Sequence, residues 1–221
     1  MITDGYCISE DIISSCECDE LLRFLAKLPR GHGRAGIRNL MAHTLVRSLA
    51  HDPRLIALTA DCYGRQLVPY KATLFNKTAK ANWLVAWHQD TALPIEEING
   101  ADGWSAPSVK QGHLFAQAPA SALKKVLALR IHLDASTPTN GPLRVVPRSH
   151  LLGILSDVEI NDLVNSSRQV ECVVGRGGVI AMSPLLLHAS SKLATDAPRR
   201  VLHIEYAESL KLAGDIRLVI S

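Results

Sequence analysis

The stretch NWLVAWHQDTALP, residues 82–94, sets a histidine and an aspartate two apart at the end of an apolar run. Alternate side chains of a β-strand point to one face, so His88 and Asp90 project together. Trp83, Val85 and Trp87 share the opposite face and read as core packing. An imidazole and a carboxylate on one face of a hydrophobic strand have two explanations. They are either a buried hydrogen-bonded pair that fixes the core or two ligands of a metal ion.

On either side of this strand the texture of the chain differs. Residues 9–29, SEDIISSCECDELLRFLAKLP, repeat apolar positions at helical spacing, with Pro29 and Gly31 as the stop. NLMAHTLVRSLAHDPRLIALTADCYG predicts two more helices, separated at HDPR and ended by Gly64. From LVPYKATLFNKT onward short β-rich segments follow: VLALRIHLD, GPLRVVPRSH, QVECVVGRGGVIAMSPLLLHAS and RRVLHIEYAES. Turn signals at Asn140-Gly141 and Gly177-Gly178 separate them. Helices first and strands after predict a mainly β protein, a sandwich or barrel buttressed by N-terminal helices. We expect one domain over 1–221, helical over 1–64 with a β core over 65–210. Residues 91–122 form a connection too long for a plain turn. With Gly100, Gly103 and Gly112 as hinges they are expected to act as a mobile lid, on which Trp104 and His113 reach the substrate.

Composition narrows the function classes. The 221 residues are 47% hydrophobic and 20% charged, with a net charge of +3, ordinary for a globular domain. Basic residues form no run longer than a pair, so nucleic acid is not an expected partner. No stretch approaches the roughly 18 apolar residues of a membrane span, and the N-terminus lacks the basic and apolar regions of a secretion signal. Five cysteines without zinc-finger spacing predict a reduced, cytoplasmic protein.

His88 and Asp90 need a third donor to make a facial triad of two histidines and one carboxylate, the arrangement of non-haem Fe(II) oxygenases. SPLLLHASSKLATDAPRRVLHIEY offers His188 at the end of an apolar strand, with Arg199 opening the next. An oxygenase that consumes 2-oxoglutarate needs such an arginine for the far carboxylate of that cosubstrate. Ser190, on the face of His188, could donate a hydroxyl to the same carboxylate. His150, in PRSH, is the rival third ligand.

These segments resemble the phytanoyl-CoA dioxygenase family of Fe(II)/2-oxoglutarate oxygenases. WHQD is similar to its metal-binding strand, LALRIHLD with TNGPLRVVPRSH to its central strand pair, and HASSKLATDAPRR to its His–x–Ser segment. The resemblance runs in order from about residue 65 to 207. It implies a double-stranded β-helix (jelly-roll, cupin-like) fold, with Fe(II) held by His88, Asp90 and His188. It also implies 2-oxoglutarate on Arg199, and dioxygen and a small organic molecule as the other reactants. Asn76 or Lys77, on the strand before WHQD, is expected to add a polar contact to 2-oxoglutarate. The resemblance assigns His132 and Asp134 to the scaffold, and Arg130 is expected to pair with Asp134. Arg148 stands where many relatives have glycine. Related halogenases lack the metal carboxylate, so Asp90 favours hydroxylation. His203 and Glu205 fall on the face of Arg199, either satisfying each other or facing substrate. Two other readings stand beside this one: a cupin-type metal-dependent isomerase or hydrolase, and a non-catalytic β-barrel binding module. The sequence specifies neither the substrate nor the oligomeric state.

Overall fold

A computed structural model describes residues 2–29, 36–98 and 100–221; Gly31 lies outside them. Thirteen strands fall in chain order among the described residues. The first eight are β1 (Tyr6–Ser9), β2 (Gly36–Ile37), β3 (Val68–Lys77), β4 (Val85–His88), β5 (Ala92–Ile95), β6 (Ser105–Lys110), β7 (His113–Gln117) and β8 (Val126–His132). The rest are β9 (Leu143–Val145), β10 (Val170–Cys172), β11 (Val179–Met182), β12 (His188–Ser190) and β13 (Arg199–Ala207). The helices are α1 (Ser15–Leu25), α2 (Thr44–Ala50), α3 (Pro53–Tyr63), α4 (Ala120–Leu123) and α5 (Asp157–Ser166).

A major sheet runs β1-β11-β8-β13-β3-β2 and a minor sheet β10-β9-β12-β4. Together they form the double-stranded β-helix. The faces of the major sheet follow from register and alternation. Leu74, Leu129, Ile131, Leu202 and Ile204 point outward into one core with Leu21 and Leu25 of α1 and Leu55 and Leu58 of α3. Each such leucine contributes about 1.5–3 kcal/mol by leaving water, so the helices are the hydrophobic cover of the sheet. Tyr206, on the same face, donates its hydroxyl to the carbonyl of Ala50 at 3.0 Å. The inner face carries the opposite parity. Arg199 pairs with Lys77 across β13 and β3, while His203 lies between Thr73 and Arg130. Buried polar and charged groups in such a row are costly unless paired or used, and they mark where the chemistry sits.

Local signals set the helix ends. Ser14 and Glu17 form a capping box for α1, Asp52 caps α3 ahead of Pro53, and Gly64 ends α3 with φ 95°. Arg54 joins the two helices by bonding both Asp52 and Glu17.

Three expectations are corrected. The first 64 residues are not purely helical, because β1 completes the edge of the major sheet against β11. Residues 91–122 are not an irregular connection. β5, β7 and β6 make a third sheet, and Leu93, Ile95, Trp104 and Ala116 are buried in a core shared with Leu212, Ile216 and Leu218. Only β6 is exposed along its whole length. The helix expected over 9–29 is shorter, because residues 6–9 are drawn into β1 and the capping box opens α1 at Ser15. No helix among the described residues is long and apolar enough to cross a membrane.

Candidate metal and cosubstrate site

His188 and His88 face each other in the register of β12 and β4, and Asp90 follows the end of β4, its N–H bonded to the carbonyl of Pro184 at 2.9 Å. One ligand atom from each of His88, Asp90 and His188 lies within 4.8 Å of the others. Both histidine Nε2 atoms stand 3.6 Å from an Asp90 oxygen. That is longer than an ordinary hydrogen bond and suits donor atoms that could share an ion. Each Nδ1 lies 2.8 Å from a backbone carbonyl, of Ala86 for His88 and of Leu186 for His188. Nδ1–H therefore donates to the backbone, and the Nε2 lone pair is left facing the common point.

The electrostatics agree with a site built for a cation. Burial alone would raise the Asp90 carboxyl, but His188, His88 and His203 around it hold it well below the usual range. Burial brings His188 down to about 4 despite Asp90, so it is a neutral donor at ordinary pH. Burial also works to lower His88, and the Asp90 carboxylate outweighs it. Gln89, between the two ligands in sequence, faces the other way. Its amide donates to the carbonyls of Gly153 and Leu185 at 2.8 and 2.7 Å and accepts from the N–H of Leu155 at 2.8 Å.

Deeper in the barrel, Arg199 and Lys77 converge on Ser190. Arg199 Nη2 and Lys77 Nζ donate to the Ser190 hydroxyl at 2.9 and 2.7 Å, and the hydroxyl passes its own hydrogen to the carbonyl of Gly141 at 3.2 Å. Ser190 thus orients the two cations rather than holding a free donor. Arg199 Nη1 is buried without a partner among the described residues. Burial and the Arg130 charge lower Arg199 to about 9; burial, then Arg199 and Arg130, lower Lys77 to about 7. Among the described residues neither group has the carboxylate that buried cations normally require. His132 lies on the same inner face, both ring nitrogens unpartnered among the described residues, and is lowered to about 3 by burial, Arg130 and Arg199.

Other expected positions fall elsewhere. Alternation turns Asn76 to the outer face, where it lines a separate cavity with Leu74 and Arg200; it does not reach Arg199. Trp104 is buried, its indole N–H donating to the carbonyl of Ala213 at 3.0 Å. His113 sits at the β6–β7 turn opposite Lys110, outside the cavity beside the triad. His150 lies in a short 3-10 helix, Ser149–Leu152, against Gly5, where an added Cβ would meet its Nδ1, and does not join the triad. Asp134 pairs with Arg200 rather than with Arg130, whose Nη1 lies 3.3 Å from His203 Nδ1.

His203 and Glu205 line a cavity of about 310 Å³ that opens beside His88 and Asp90. Glu205 receives the Tyr70 hydroxyl and the Lys71 ammonium, each at 2.6 Å, with His203 Nε2 at 3.3 Å. Arg38, Lys71 and Lys110 also line it. They come from three distant parts of the chain, and no local pattern brings them together.

A family model described as phytanoyl-CoA dioxygenase matches residues 2–201. L-proline trans-4-hydroxylase of Streptomyces griseoviridis is 27% identical over 184 residues, 72% of this chain and 61% of that protein. The chain therefore spans about three fifths of the length of that relative. The fold is similar to the epimerase SnoN from nogalamycin biosynthesis, with TM-score 0.69, 21% identity and coverage of 94% of this chain and 79% of that one. It is also similar to HygX from Streptomyces hygroscopicus, solved with nickel and 2-oxoglutarate, with TM-score 0.66, 18% identity and coverage of 94% and 84%. The matched span takes in all three residues of the triad and Arg199, and the chain belongs to the phytanoyl-CoA dioxygenase (PhyH) family.

Proposed function

We propose that the chain is an Fe(II)- and 2-oxoglutarate-dependent dioxygenase that hydroxylates a small organic substrate. The observation that carries this is the pairing of a His–Asp–His cluster with two inward cations, Arg199 and Lys77, that face no carboxylate among the described residues. A metal-only cupin enzyme or a binding module leaves those buried charges without a purpose; a dicarboxylate cosubstrate supplies the missing anion. Family membership and the proline hydroxylase relative support the same reading, and Asp90 in the cluster supports hydroxylation over halogenation.

The donor set fits the metal: two imidazole nitrogens and one carboxylate suit divalent iron and leave positions open. When bound, iron with 2-oxoglutarate and dioxygen supplies the oxidising power that removes a substrate hydrogen, and the cosubstrate leaves as succinate and carbon dioxide. The protein supplies the rest. His88, Asp90 and His188 fix the metal position, and their backbone partners lock the tautomers. Arg199 offers its unpaired Nη1 to the far carboxylate, Lys77 adds a second charge, and Ser190 aims both. The β5–β7–β6 sheet walls the cavity beside the triad and limits water there. We read residues 1–221 as one such domain acting in the cytoplasm. A succinate-release assay with Fe(II) over a panel of small organic substrates tests the proposal. No 2-oxoglutarate-dependent succinate under any condition, in a protein that binds metal, would overturn it.

A further inference from the structure

We propose that the substrate is a small organic anion whose carboxylate or phosphate group sits between Arg38 and Lys110 at the mouth of the triad cavity. This rests on the dioxygenase reading and adds the substrate class. The charges lining the cavity are unbalanced. Lys71 is matched by Glu205 at 2.6 Å, and Asp90 belongs to the triad. Arg38 and Lys110 remain, and neither has a carboxylate partner among the described residues. Lys110 stands 5.1 Å and Lys71 5.5 Å from the centre of the Phe115 ring, so two ammonium groups gather on one aromatic wall. The Asn39 amide donates at 3.5 Å to the carbonyl of Gln111 in the β6–β7 turn, which brings the segment of Arg38 to the strand of Lys110. Burial, then repulsion from Arg38 and Lys71, lowers the Lys110 ammonium, as expected for like charges gathered without their counter-ion.

The cavity, about 310 Å³, is at the small end of ligand sites and admits a compact molecule. An anion at its mouth would meet two cations while its carbon skeleton lies against Phe115 and Leu93, toward His88 and Asp90. Glu205 and His203, already joined to Lys71, form a polar floor for hydroxyl or amine groups.

The experiment uses Co(II)-loaded protein saturated with 2-oxoglutarate, with inorganic phosphate and acetate as probes. Phosphorus and carbon relaxation of each probe reports its approach to the paramagnetic ion, and Zn(II)-loaded protein is the diamagnetic control. Wild type is expected to enhance relaxation saturably. Lys110→Gln and Arg38→Gln, at exposed positions, should each weaken the probe by about five- to tenfold, with 2-oxoglutarate affinity unchanged. A response to phosphate alone or to acetate alone decides which anion is bound. No saturable effect for either probe, or equal effects in wild type and both variants, overturns the proposal. Failure of wild type to bind 2-oxoglutarate, measured separately, overturns the dioxygenase reading instead.

Discussion

Replacing Arg199 with alanine tests the proposed cosubstrate pocket. The guanidinium is already held on two sides, with Nη2 on Ser190 at 2.9 Å and Nε on the carbonyl of Asn140 at 3.3 Å. Nη1 is left for a ligand, along with the second hydrogen of Nη2. Two charge-assisted hydrogen bonds at about 1.5–3 kcal/mol each set the scale. The low end applies because Lys77 stays beside the carboxylate, giving about 3 kcal/mol. At about 1.4 kcal/mol per tenfold, 2-oxoglutarate should bind about 100-fold more weakly. Isothermal titration of 2-oxoglutarate into Ni(II)-loaded protein measures this, and a prior titration of Ni(II) shows that the triad is intact. Arg200→Ala is the control. Arg200 faces outward and is engaged by both Asp134 oxygens at 2.7 Å, so its loss should leave cosubstrate affinity unchanged. Equal weakening by Arg200→Ala, or no weakening by Arg199→Ala, would refute the assignment of faces along β13.

His188→Ala should abolish tight binding of Fe(II) or its surrogates while His150→Ala leaves it intact, measured by metal titration; the reverse result would move the third ligand to the short 3-10 helix. Binding of 2-oxoglutarate above pH 7 should take up protons, because its carboxylate raises the Lys77 ammonium from about 7; calorimetry in two buffers of different ionisation enthalpy counts them. For the ligand-free protein the sign is opposite to that of a salt-bridged lysine. The folded state holds fewer protons than the unfolded one between about 7 and the ordinary 10.5, so this group adds stability as pH rises across that window, which denaturant melts of wild type and Lys77→Met compare. Arg148 adopts φ 67° with its N–H on the carbonyl of Asp4 at 2.9 Å, and Arg148→Gly should stabilise by about 1 kcal/mol, seen as a melting temperature higher by about 2–4 °C. A lower melting temperature would mean that the arginine side chain outweighs its backbone strain.

Much of this was legible in the chain because it depends on parity. His88 with Asp90, and Arg199 with His203 and Glu205, share faces by simple alternation, and the caps at Asp52 and Gly64 are local signals. What was hidden depends on distant pairing. β1 exists because β11, far along the chain, offers an edge, and four residues, YCIS, carry no alternation of their own. α5 buries none of its residues, so it shows no apolar stripe; only the Ser156–Glu159 capping box announces it. Gln111-Gly112 marks the β6–β7 turn, but β6 is exposed on both faces and reads as loop. The cationic mouth combines residues 38, 71 and 110, which no window spans. Asn76 and Lys77 are adjacent, and only the register with Arg199 and Arg200 decides which one faces inward.

The three hydrogen bonds of Gln89 bear on how metal would enter. They rivet the backbone between His88 and Asp90 to the loops at Gly153, Leu155 and Leu185, independently of any ion. A strand held by bonds in which no metal-ligand atom takes part is expected to stand in place before metal arrives, so that loading is a docking event rather than a folding one. Its calorimetric trace should show little change in heat capacity, since almost no apolar surface changes its exposure. Chelator-stripped protein should keep its native hydrogen-exchange pattern and accept a different divalent ion without a refolding step.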